Sequence, residues 1–177
     1  MYSEQIAKIV SKLESDKCVT SCTCFAGTKC IEEGKITCQD KNIEFLHIRF
    51  DPCMMPETGQ DQLKRCDCII FGFDKTRKKQ AMFVIEVKDT YRKNTLDAIK
   101  EKIQTCVSRM QSILEGTMNL IEVFPIMTDL KHSALCAQAS MTKNYKVKCY
   151  NSDKTIIVTN YRKNIVDYYT KAAESWK

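Results

Sequence analysis

The sequence predicts an α/β protein built on a mixed central sheet with helices on its faces. Two observations carry this. Three apolar, β-branched runs follow one another between residues 42 and 88, and a long 3–4-spaced helix then separates them from a fourth run. A meander, a crossover helix and a further strand together require a sheet with parallel and antiparallel neighbours.

Taken in order, residues 3–15 place Ile6, Ile9, Val10 and Leu13 on one stripe behind Ser3, a good N-cap, and read as an amphipathic helix. Residues 17–41 are cysteine-rich, contain Gly27 and Gly34, and have room for short strands or a hairpin around Ile31–Cys38. Asn42–Phe50 alternates apolar and polar residues as a strand does, and Asp51–Gln62, with Pro52, Pro56 and Gly59, is a loop. Cys66–Phe73 is the second strand, Asp74–Gln80 a basic hairpin connection, and Ala81–Lys88 the third strand. A helix from Asn94 or Thr95 to about Glu115 carries Leu96, Ile99, Ile103, Val107, Met110 and Leu114 on one side and stops at Gly116. Asn119–Met127 is a fourth core strand, and residues 129–141 are compatible with a short helix. Tyr145–Tyr150 and Thr155–Thr159 suit a terminal hairpin, and Asn160–Trp176 a last helix. We expect one domain over 1–177, with a core to about residue 128 and a C-terminal extension beyond it.

Composition narrows the functional classes. With 177 residues, 44% hydrophobic and 28% charged, the chain is large enough for a real core. No apolar run approaches the length of a bilayer span, and Met1–Lys8 carries an acid in place of a secretory leader's apolar stretch, so we expect a cytoplasmic protein with no membrane partner. The net charge of +6 favours a polyanionic partner, and Arg77, Lys78, Lys79, Arg92 and Lys93 cluster around the third strand. Eleven cysteines, an odd number, argue against a closed disulfide framework. Cys18, Cys22, Cys24, Cys30 and Cys38 have a spacing that admits zinc or an iron–sulfur cluster but lacks paired C-x2-C knuckles, and small buried hydrophobes are the simpler reading. A redox or metal-sensing protein built on these cysteines is therefore a third-ranked function.

The chemistry-bearing residues lie in the strands. Glu86 and Lys88 share one face of Ala81–Lys88, while Phe83, Ile85 and Val87 take the other. Asp67 sits in the apolar run before them. Acids and amines in apolar strands are costly unless paired, solvated or metal-bound. The bland alternative is a solvated Glu86–Lys88 bridge on an edge strand, worth at most about 1 kcal/mol. His47 reads as a structural histidine on its strand, and His132 as a helix-surface residue.

An acid on the second core strand followed by Glu-x-Lys on the third resembles the PD-(D/E)XK nuclease superfamily. Asp67 stands for the first acid, Glu86 for the second and Lys88 for the lysine; Cys66 replaces the proline that names the motif. The likeness covers roughly residues 1–128 and implies a restriction-endonuclease-like αβββαβ core, a Mg²⁺ (or Mn²⁺) cofactor, and hydrolysis of DNA phosphodiesters. It further implies metal ligands at Asp67, Glu86 and the Val87 carbonyl, with Lys88 acting on the attacking water or on developing negative charge. Accessory roles fall on Glu4 or Glu14 in the first helix and on Gln104 in the crossover helix. The alternative is a catalytically silent nucleic-acid-binding or assembly module, and either form is compatible with a homodimer or a larger protein partner.

Overall fold

The computed structural model describes residues 3–15, 19–31, 36–50, 66–88, 95–116, 121–129, 145–150, 152–160 and 164–174. Helix α1 (Glu4–Glu14) is followed by strands β1 (Val19–Ile31), β2 (Ile36–Phe50), β3 (Cys68–Asp74) and β4 (Lys79–Lys88). Helix α2 (Thr95–Ile113) leads to β5 (Ile121–Asp129), then to the short β6 (Lys146–Val147) and β7 (Lys154–Thr155), β8 (Ile157–Asn160) and α3 (Val166–Glu174).

Six strands form one sheet in the order β1-β2-β3-β4-β5-β8. The first four pair antiparallel, whereas β4 with β5 and β5 with β8 are parallel, so the α/β, mixed-sheet expectation holds. The parallel step is where α2 crosses over, because parallel neighbours cannot be joined by a tight turn. Period-2 alternation gives the sheet two apolar faces. Leu46, Ile69, Phe71, Met82, Val84 and Met127 pack beneath α1 and α2. Phe45, Ile70, Phe83, Ile85, Phe124 and Ile126 pack against Val166, Tyr169 and Ala173 of α3.

Local chemistry explains the elements. Ser3 Oγ accepts from Ile6 N at 3.4 Å, and Ile6, Ile9 and Leu13 are buried, so α1 is capped and docked as its stripe predicts. Gly116 follows α2 with φ of +82°, a left-handed conformation that glycine adopts without the Cβ penalty. Between β3 and β4, Asp74 is 2% exposed. Its Oδ1 accepts from Thr76 N and Arg77 N, and its Oδ2 from Arg77 and from the Tyr169 hydroxyl at 3.0 Å.

The structure departs from the sequence reading in two places. The hairpin expected around Ile31–Cys38 is present but far longer, with β1 forming the sheet edge and β2 beginning at Ile36 rather than at residue 42. The expected terminal hairpin is reduced to the two-residue β6–β7 ladder, and Ile157–Asn160 instead joins the main sheet beside β5. The loop expected at 51–62 falls outside the described residues, as does almost all of the helix expected at 129–141.

Candidate active site

The site forms where β3 begins and β4 ends, beneath the N-terminal half of α2. Cys68 lies opposite Ile85 in the β3–β4 ladder. Asp67, one residue earlier, donates its N–H to the Ile85 carbonyl at 3.0 Å. Its Oδ2 accepts from Val87 N at 2.6 Å, so a side chain replaces the ladder just where β3 runs out. A strand residue directs its N–H and C=O toward the same neighbour. The Val87 carbonyl is therefore aimed past the end of β3, on the Asp67 side.

Alternation puts Glu86 and Lys88 on the α2 face of β4, together with Met82 and Val84. Asp67 lies in the bend just before β3, near enough for its charge to act on Glu86 and Lys102. Glu86 and Lys88 thus share one side of the sheet, with Asp67 beside them at the start of β3. Glu86 is fully buried in a strand flanked by β3 and β5, which removes the solvated edge-strand bridge as an explanation. Lys88 Nζ lies 2.5 Å and Lys102 Nζ 2.6 Å from Glu86 Oε1. Glu86 Oε2 is buried with no hydrogen-bond partner among the described residues. Burial pushes the Glu86 carboxyl above its ordinary value, the Asp67 charge adds to this, and the two ammonium groups offset it only in part. Burial alone would lower Lys102, but its bond to Glu86 outweighs that and raises it.

Lys102 is the member that sequence reasoning missed. Its signal was modest: it borders the apolar stripe, three residues after Ile99 and one before Ile103. Gln104, two residues on, is rotated some 200° around the helix. It clamps the backbone of Lys148, accepting from its N–H at 2.7 Å and donating to its carbonyl at 3.1 Å, so it does not reach the acids.

The helix α1 acids are not at the site either. Glu4 pairs with Lys8 at 2.7 Å on the surface. Lys12, close before Glu14, bonds the Glu115 carbonyl at the far end of α2, about 20 Å beyond Lys102. Arg77 and Lys78 lie in the turn and Lys79 at the start of β4, the opposite end of that strand, with Lys79 seven residues and so about 23 Å from Glu86, and Arg77 is held by Asp74. Arg92 and Lys93 fall outside the described residues, as do Cys18 and the side chains of Cys22 and Cys30; Cys38 is buried.

Two thiols underlie the acids. Cys66 and Cys106 lie 2.9 Å apart, sulfur to sulfur, and Cys66 N donates to Cys106 Sγ at 3.1 Å. Burial pushes the Cys66 thiol up, whereas the bond from Cys66 holds Cys106 down.

A divalent cation fits the donor set in part. Two neighbouring carboxylates, an orphaned buried oxygen on Glu86 and a carbonyl aimed at the gap are hard oxygen donors of the kind Mg²⁺ and Mn²⁺ take. No group of three or more His, Cys, Asp or Glu side chains gathers among the described residues, so water or substrate oxygens must complete the shell. Among the described residues no helix is long and apolar enough to cross a membrane. Compared with protein-family models, with curated proteins and with solved structures, the chain matches none, so its assignment rests on the site itself.

Proposed function

We propose that this chain is a divalent-metal-dependent nuclease of PD-(D/E)XK type acting on DNA. The observation that carries the reading is a wholly buried glutamate, Glu86, beside Asp67 and Lys88, with one carboxylate oxygen left without a partner. An ionised carboxylate in that position is expensive to maintain for structure alone. The succession α1, β2, β3, β4, α2, β5 supports the reading, since it repeats the αβββαβ order of that superfamily, with β1 added at the edge.

In this reading Asp67, Glu86 and the Val87 carbonyl hold Mg²⁺ or Mn²⁺, which when bound neutralises phosphate charge and acidifies a bound water. Asp67 is fixed by Val87 N, so its orientation is set by the backbone before any ligand arrives. Lys88, about one-quarter exposed, is placed to orient a water or to meet charge developing on phosphate oxygens. Lys102 lies alongside on α2 and offers a second cation to the same oxygens.

A second reading is favoured by a specific observation. Lys102 already supplies a positive charge to Glu86, so the cluster is nearly neutral without metal, as a catalytically silent nucleic-acid-binding module requires. Plasmid and single-stranded DNA incubated with Mg²⁺ or Mn²⁺ separate the two. The nuclease reading expects cleavage that Glu86→Ala lowers at least 100-fold. Absence of cleavage by the wild type, with no calorimetric metal binding but intact DNA affinity, would leave the silent module.

A further inference from the structure

We propose that Cys66 and Cys106 are a modification site, forming a reversible intramolecular disulfide that fixes α2 against the start of β3 at the ion cluster. This goes beyond the nuclease reading and does not depend on it. The two residues are 40 apart in sequence, yet their sulfurs are 2.9 Å apart and both are buried. A disulfide bond of roughly 2.05 Å needs them to close by less than about 1 Å. The Cys66 N–H already points at Cys106 Sγ. The alternative partner, Cys68, packs with the opposite apolar layer, so it is turned away from Cys106.

Position gives the bond its meaning. Cys66 directly precedes Asp67, and Cys106 is one helical turn after Lys102. Joining them ties together the backbone that presents the acid and the helix that presents the lysine. The oxidant is a small hydroperoxide. One sulfur attacks a peroxide oxygen, breaking the O–O bond to give a sulfenic acid and one water. The second sulfur then attacks that sulfur, the S–S bond forms, and the oxygen leaves as a second water. In sum, two thiols and one hydrogen peroxide give one disulfide and two waters, and a dithiol reverses the change.

The test uses the whole wild-type chain, treated with hydrogen peroxide, alkylated, cut with trypsin without reduction, and mapped by mass spectrometry. Cleavage after Arg65 and Lys75 isolates Cys66 with Cys68, and cleavage after Lys102 and Arg109 isolates Cys106 alone. The expected product is these two peptides linked, two hydrogens lighter than their sum, and released by dithiothreitol. The link should persist in Cys68→Ser. The melting temperature should rise by about 5–10 °C on oxidation and return on reduction, as closing a long loop predicts. Failure to find the link, its loss in Cys68→Ser, or Cys106 recovered mainly joined to another cysteine overturns the proposal. DNA cleavage is not read in this experiment, so its outcome is separate from that of the nuclease assay.

Discussion

Glu86 sits among charges that disagree about it. Burial and Asp67 favour its neutral form, while Lys88 and Lys102 favour the carboxylate, and the balance leaves its pKa above the ordinary value near 4.5. For an acid raised on folding, the native state binds the proton more tightly than the unfolded chain. Its contribution to stability is therefore best at acid pH and declines as pH climbs from about 4.5 through the folded value. We expect Glu86→Gln, which cannot titrate, to gain on wild type across that window by up to about 1.4 kcal/mol per pH unit. Urea denaturation at pH 4 to 8 reads this directly. A wild-type-minus-variant difference that grows with pH would show that the lysines, not burial, dominate. The residue scale is also where the sequence was most and least informative. The shared face of Glu86 and Lys88 was legible because strand alternation fixes it, whereas Asp67 lies in the bend before β3, where alternation does not hold. Lys102 was not, because nothing in a helix's spacing tells whether a lysine bordering the apolar stripe turns to water or to a buried acid.

The hairpin between β3 and β4 shows how an element is held. Asp74 caps the turn through two backbone N–H groups and joins it to α3 through Tyr169. Burial alone would raise Asp74, but the Arg77 backbone and guanidinium and the Tyr169 hydroxyl outweigh it and hold the carboxyl below its usual value. Asp74→Asn keeps the shape but loses a charge-assisted bond and one acceptor, which should cost about 2–3 kcal/mol at pH 7. Since the folded pKa is depressed, Asp74's contribution is present above about 3.8 and is lost as pH falls through the folded value. The stabilities of wild type and variant should converge in strong acid; a gap independent of pH would mean that the charge is not what matters. The sequence marked this segment as a basic turn and missed Asp74's role, because its partner Tyr169 is 95 residues away. The length of strand β1 was underestimated for a related reason. Its small and polar residues show no clean alternation, and as an edge strand it takes its order from pairing with β2.

At the scale of the molecule, the sequence divides the chain into a core ending near residue 128 and an extension, but the packing does not respect that division. One apolar layer is roofed by α1 and α2, and the opposite one is covered by α3, whose Val166, Tyr169 and Ala173 meet Phe83, Ile85 and Phe124. The Asn164 side chain fastens this segment to β2, accepting from Gln39 N at 3.0 Å and donating to the Gln39 carbonyl at 2.9 Å. Periodicity alone does not reveal this, because a sheet with two apolar faces demands two covers and does not say which helix supplies the second. Each large apolar side chain lost from such a layer removes about 1.5–3 kcal/mol, against a total stability on the order of 5–15 kcal/mol. A chain ending at Asn160 should therefore lose cooperative unfolding at 25 °C and bind a hydrophobic dye, even though Asp67, Glu86, Lys88 and Lys102 are all retained. Urea titration followed by tryptophan-independent far-ultraviolet circular dichroism is the suitable measurement, because the deletion removes Trp176. A sharp transition at the wild-type midpoint would show that α3 is an accessory after all, and that the sheet needs only one roof to hold the acids in place.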